Sequence, residues 1–311
     1  MTKLKTVQTS KDGTQKFLLE LNDGNLIETV LMKHPYGNSV CITSQAGCNM
    51  GCAFCASGIT KKVRDLTAEE MFNQLLIADE AMPHVSHIVI MGTGEPFDNY
   101  DEVVRFCDLV SDERKLSAAI RKADTLKNVP FSAVAPRHIT VSTCGIVPKI
   151  HEFAQTEKRF NLAISLHAPN NELRNRLMPV NKKYPLEELI PAAAEYCKMT
   201  KRRITFEYLL LDGINDSEKH ACELADLLSS MNTDASGEKL LKGSDYFYVN
   251  LIPYNAVSEF GFRGASKEQA LLFYDVLMKN GIKATLRKER GADITAACGQ
   301  LRLQREERFN R

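Results

Sequence analysis

An α/β fold, a partial (β/α)6-type TIM barrel preceded by a short N-terminal β-hairpin, is what this 311-residue chain predicts. Three observations carry that expectation. From residue 39, short apolar runs alternate with amphipathic stretches of helical period, the rhythm of a parallel sheet with right-handed crossovers. Six or so such units follow one another, fewer than the eight of a closed barrel. The segments just after the apolar runs are rich in glycine and small polar residues, and parallel α/β folds gather their reactive groups at those strand ends.

The elements are justified in turn. Residues 17–21, the turn Asn22-Asp23-Gly24 and residues 26–32 predict the hairpin. Buried strands are expected at 40–44, 87–91, 138–142, 162–166, 204–210, 247–252 and 283–287. Helical periodicity marks 68–82, 186–200, 217–231 and 266–280. Two stretches break the rhythm and read as surface insertions: 112–136, dense in charge, and 232–245, rich in Gly, Ser and Lys. The expected organisation is an extension over 1–38, a core domain over 39–302 and a basic tail over 303–311.

Composition narrows the class. Forty Lys and Arg against thirty-nine Asp and Glu leave a net charge of +1, so no global field advertises a nucleic-acid partner. Any nucleic-acid contact would rest on local clusters such as Lys61-Lys62 with Arg64, Lys182-Lys183, Lys201-Arg202-Arg203 and Arg287-Lys288 with Arg290. Taken singly, each such cluster reads more readily as a solvated face. Nine cysteines without regular pairing argue against a secreted disulfide scaffold. No apolar run follows the first residues, and none reaches the ~18 residues of a membrane helix. The expectation is a cytoplasmic protein in a reducing compartment, with no membrane partner.

The run Cys48-Asn-Met-Gly-Cys52-Ala-Phe-Cys55 carries the most chemical information. A structural zinc site wants four ligands in a closed tetrahedron. Three thiolates at C-x3-C-x2-C spacing hold three corners of a 4Fe-4S cluster and leave the fourth iron open. An open iron is the signature of radical S-adenosylmethionine (SAM) enzymes, in which SAM chelates that iron. A zinc knuckle lacking a ligand and three unrelated core cysteines are the competing readings. After the strand expected at 87–91 comes Gly92-Thr93-Gly94-Glu95, in which Gly94 allows close backbone approach and Glu95 accepts from an amine, a candidate site for the SAM amino group. An ordinary tight turn explains that tetrapeptide equally well. Ser142, Ser165-Leu166-His167 and Asn255 supply further small polar groups at strand ends, each of which also reads as a helix cap.

Read together, these stretches resemble the RlmN/Cfr family of radical-SAM RNA adenosine methylases. The matching segments are IETV, CITSQAGCNMGCAFCASG, GTGEPFDNY, ITVSTCGIVPKI, AISLHAPNNELRNRLMPVNKKYPLEELI, LLLDGINDS, VNLIPYNAV and GADITAACGQLR, from about Ile27 to Arg302. The resemblance implies that Cys298 carries a methyl group, that Cys41 later resolves a covalent adduct through a disulfide with Cys298, and that Glu28 is a proton acceptor. Without it, both cysteines read as buried core thiols and Glu28 as an exposed strand residue. Cys107, Cys144, Cys197 and Cys222 match no family role and read as core. The resemblance further implies two SAM molecules per turnover: one methylates Cys298, and the second, on the cluster, yields the radical that activates that methyl.

The implied partners are RNA, 23S rRNA and possibly tRNA, and an electron donor such as flavodoxin or ferredoxin; the chain is expected to be a monomer. Adenine C2 is the expected target carbon, with C8 methylation, another substrate, or a radical SAM enzyme without methyl-cysteine as alternatives. Arg174, Arg176, Lys182 and Lys183 are the expected RNA contacts. Family members usually carry an N-terminal helical domain; with forty residues before Cys41, this chain is expected to lack it.

Overall fold

The turn at Asn22-Asp23-Gly24 forms as expected. Gly24 takes φ +81°, its N–H donates to the Leu21 carbonyl, and the Asp23 carboxylate accepts from Asn25 N. The computed structural model describes residues 2–122, 132–232, 246–257, 259–296 and 299–301. They fall into two compact units, one of Met1–Asn49, Ala56–Val141 and Arg290–Arg311, the other of Met50–Cys55 and Ser142–Glu289.

In the first unit the hairpin strands are β2 (Gln15–Glu20) and β3 (Leu26–His34), and a strand that periodicity did not flag, β1 (Lys3–Thr9), pairs with β2. The expected hairpin is therefore a three-stranded antiparallel extension. It continues into the sheet, because β3 also pairs antiparallel with β4 (Gly37–Cys41). Beyond β4 the sheet turns parallel, through β7 (Val85–Ile90) to β8 (Ile139–Thr143). The strand expected at 40–44 ends at Cys41, and Thr43 to Gln45 instead hydrogen-bond around the loop after β7. A short ribbon, β5 (Gln45–Ala46) with β6 (Arg64–Asp65), closes off the cysteine loop.

Helix α1 (Ala68–Ala81) starts on a capping box, Thr67 accepting from Glu70 N while the Glu70 carboxylate accepts from Thr67 N. It packs against α2 (Tyr100–Val110), and Leu75 of α1 and Val103 and Phe106 of α2 are fully buried. A further helix, α3 (Glu113–Lys122), occupies the start of the expected 112–136 insertion; 123–131 lie outside the described residues.

The second unit repeats the βα rhythm. It runs α4 (Val147–Ala154), β9 (Asn161–Ser165), α5 (Asn171–Leu177), α6 (Leu186–Thr200), β10 (Ile204–Leu210), α7 (Glu218–Ser229), β11 (Phe247–Pro253), α8 (Lys267–Lys279) and β12 (Ala284–Leu286). All pairings from β9 to β12 are parallel. Helices α7 and α8 begin on Ser217 and Ser266, each accepting from a backbone N–H of the first turn. Nearly all of the insertion expected at 232–245, and the basic tail, fall outside the described residues.

Candidate active site

The first unit presents one sheet face with chemistry on it. Lys16 of β2 lies opposite Val30 of β3, Val30 opposite Cys41 of β4, and Cys41 opposite Val89 of β7, so these four side chains share a row. Glu28, two residues from Val30, points the same way. It is 2% exposed, which corrects the reading of an exposed strand residue: its Oε1 is 3.0 Å from the Nζ of the equally buried Lys16. Cys41, 7% exposed, packs in an apolar cluster with Val30, Met32, Ala296 and Leu301. The last two flank Cys298 in sequence; Cys298 itself lies outside the described residues.

The flanks of Cys298 also reach the exit of the cysteine loop. Ala56 N donates to the Gly299 carbonyl at 2.8 Å, and Ser57 Oγ to the Leu301 carbonyl at 2.9 Å. At the start of that loop Gly47 takes φ +82°, where a Cβ would meet the Lys61 carbonyl oxygen at 2.3 Å. Cys48 N donates to the Thr60 carbonyl.

The loop after β7 is locked on the chain leading to Cys48. Ser44 N and Gln45 N both donate to the Thr93 carbonyl, and Glu95 N donates to Gln45 Oε1 at 2.8 Å. Gly94 takes φ +109°, and a Cβ there would lie 2.7 Å from that of Gln45. Glu95, 4% exposed, turns a carboxylate oxygen back to Phe97 N at 3.0 Å.

In the second unit, Phe54 sets its ring edge-on to His167, centroids 4.9 Å apart. Ala53 N donates to the Leu177 carbonyl, so the stretch between Cys52 and Cys55 is held by α5. His167 has φ +56°; its Nδ1 accepts from Leu209 N at 3.0 Å, which leaves the ring proton on Nε2. Burial pushes its pKa down to about 3, so the imidazole is neutral. Ser142 is buried and Ser165 and Asn255 are half-buried.

Arg174 requires a correction. It is fully buried rather than a surface contact, and donates to the carbonyls of Cys144, Ser165 and Leu166 and to Asn181 Oδ1, at 2.7–3.2 Å. Burial pushes its pKa down to about 10, which still leaves it charged. It ties the ends of β8 and β9 to α5. Arg176, Lys182 and Lys183 are exposed.

Sequence reasoning missed Lys16, and it missed Glu207 and Thr285, which pair in register with Ser165 and Asn250 across β9 to β12. Asn250 Nδ2 donates to Glu207 Oε2 at 2.8 Å, and burial pushes the Glu207 carboxyl up. An acidic residue within the apolar run 204–210 was the available signal for the latter. Cys107 and Cys197 are core thiols, that of Cys197 pushed up to about 12 by burial, whereas Cys222 is exposed and not core.

Cys48, Cys52 and Cys55 are half-buried, unlike those core thiols, and supply only soft sulfur donors from one loop. That donor set fits an iron–sulfur cluster with one thiolate per iron and an open corner.

Parallel strands whose carboxyl ends carry such a loop define a radical SAM enzyme, and the Radical SAM superfamily model matches residues 42–225. A radical SAM methyltransferase from Sphaerobacter thermophilus, solved by crystallography, superposes with a TM-score of 0.85 at 40% identity, covering 97% of this chain and 81% of that one. The likeness supports the expected α/β fold of the radical SAM type for this chain. The chain is 50% identical over 95% of its length to the probable dual-specificity RNA methyltransferase RlmN of Enterococcus faecalis, covering 77% of that protein. The corresponding protein of Streptococcus thermophilus is 49% identical, with 72% of its length covered. The chain therefore belongs to the RlmN family of radical SAM RNA methyltransferases.

Proposed function

We propose that this chain methylates carbon 2 of an adenine in RNA, in 23S rRNA and also in tRNA, by way of a methyl group carried on Cys298. The observation that carries the reading is the packing of Ala296 and Leu301, which flank Cys298, against Cys41. Carbon 2 of adenine is electron-poor and has no lone pair with which to attack a methyl sulfonium, so polar transfer from SAM to that carbon fails. Cys48, Cys52 and Cys55 would hold the cluster. Gly94, Glu95, Ser142, Ser165, Leu166, His167 and Asn255 would hold SAM. With a flavodoxin or ferredoxin as electron donor, the bound pair would supply one-electron chemistry able to take hydrogen from a methyl group.

The chain's own residues do the rest. The Cys298 thiolate displaces the methyl of a first SAM, so that two SAM molecules are used per turnover. Once the activated methylene has joined the base, Glu28 takes the proton from carbon 2. The Cys41 thiolate then attacks Cys298 sulfur: an S–S bond forms, the S–CH2 bond breaks, and its electron pair on the methylene carbon takes up a proton to give the methyl. An external reductant returns the disulfide to thiols. The base must leave its stack to reach Cys298. Arg176, Lys182 and Lys183 are proposed to meet RNA phosphates. The enzyme is proposed to act as a cytoplasmic monomer; among the described residues no helix is long and apolar enough to cross a membrane.

The test is peptide mass spectrometry on protein purified anaerobically with its cluster. A peptide of Cys298 heavier by one methyl supports the reading, and an unmodified peptide after incubation with SAM and reductant overturns it. Nucleoside analysis of treated RNA distinguishes 2-methyladenosine from 8-methyladenosine.

A further inference from the structure

Lys16 is 2% exposed and stands on the face that carries Glu28 and Cys41. A buried Lys–Glu pair is poor evidence of a contribution to stability, since two apolar side chains would often serve as well. This pair has a third member. Lys16 Nζ, 3.0 Å from Glu28 Oε1, also donates to Thr295 Oγ1 at 3.0 Å and to the Thr295 carbonyl at 3.4 Å. Thr295 precedes Cys298 by three residues and takes φ +49°, a conformation that a β-branched residue holds only when its surroundings impose it.

The neighbouring contacts bring the same segment to the same support. Ser10 Oγ donates to Asp293 Oδ1 at 2.6 Å, Lys11 N to Asp293 Oδ2, and Gly291 N to the Asp12 carboxylate. Ala296, the next residue after Thr295, packs with Cys41.

We infer that Lys16 is a positioning residue for RNA methylation: one ammonium group keeps the Glu28 carboxylate charged and aimed while fixing, through Thr295, the segment that carries Cys298. The inference rests on the proposed roles of Glu28 as proton acceptor and Cys298 as methyl carrier. In the proton step the C–H bond of carbon 2 breaks, the proton goes to a Glu28 oxygen and the electron pair stays on the adduct. A carboxylate buried beside no cation would resist ionising and would lose its function as a base.

The test is single-turnover methylation of RNA by the cluster-loaded full chain with Cys298 already methylated, comparing wild type, Glu28→Gln, Lys16→Met and the double variant. Loss of a general base costs about a hundredfold or more, and Lys16→Met should cost about tenfold or more through the same step. The double variant should be no slower than the slower single one, because groups acting as a unit are not additive. A wild-type rate for Lys16→Met beside a slow Glu28→Gln overturns the inference, as does a double variant slowed by the product of the single effects. A wild-type rate for Glu28→Gln instead overturns the role of Glu28, a distinct failure. Where Lys16→Met does not fold, Thr295→Val keeps both charges and removes only the hydroxyl tether; it should slow the same step several-fold at unchanged Cys298 methyl content. A wild-type rate in Thr295→Val refutes the coupling.

Discussion

Ala296 and Cys41 pack in one apolar cluster although they come from opposite ends of the chain, one just before Cys298 and the other at the end of β4. Strand pairing fixes the face that Cys41 presents, and the C-terminal segment is laid over that face by bonds to the 10–12 turn, to Lys16 and to Ala56 and Ser57. Replacing Cys41 by Ala is expected to leave methylation of Cys298 intact and to trap the protein covalently on RNA. Denaturing electrophoresis reads the trapped species; release of methylated RNA at the wild-type rate would count against a resolving thiol.

Gly94 tolerates no side chain. With φ +109° and Gln45 Cβ 2.7 Å from the position of a new Cβ, Gly94→Ala combines backbone strain with a clash. A loss of about 1–3 kcal/mol in denaturant unfolding is expected. Cleavage of SAM to 5′-deoxyadenosine after dithionite reduction should fall more than that stability loss alone explains, because Glu95 follows directly.

Arg174 and its exposed neighbours should separate cleanly. Arg174→Met leaves the Cys144, Ser165 and Leu166 carbonyls without their guanidinium donor, at about 1–3 kcal/mol for each group left unsatisfied. Equilibrium unfolding reads that loss. Arg176→Ala, Lys182→Ala and Lys183→Ala should stay within about 0.5 kcal/mol of wild type. Each should weaken RNA binding and lower the salt dependence by roughly 0.7–0.9 in log–log slope. Unchanged binding in all three would place the RNA surface elsewhere.

His167 makes stability depend on acid. Its folded pKa, about 3, lies below the ordinary value of 6.5, so between those values the unfolded chain binds a proton that the folded chain refuses. Its contribution is full above pH 6.5 and is lost as pH falls toward 3. The slope approaches about 1.4 kcal/mol per pH unit within that window. Urea unfolding of wild type and His167→Gln between pH 4.5 and 7.5 should show a shallower dependence in the variant by roughly that amount. Parallel curves would mean that His167 is protonated when folded.

Short-range pattern was enough for much of this protein. The βα rhythm follows from apolar runs and helical periods within about a dozen residues, and the three-cysteine loop is contained in the eight residues from Cys48 to Cys55. Gly94 and His167 are picked out as candidates by their place at strand ends, where parallel sheets gather reactive groups. Tertiary structure alone decided the burial of Glu28 against Lys16, the withdrawal of Arg174 from the surface, and the tether from Lys16 to Thr295. Each depends on strand register and on which distant segment covers a face. A lysine in a strand or an arginine in a short helix carries the same local signal whether it meets water or a carboxylate brought in from far along the chain. The support that Cys41 shares with Ala296 exists only once β3 and β4 have paired and residues 291–296 have been laid across them.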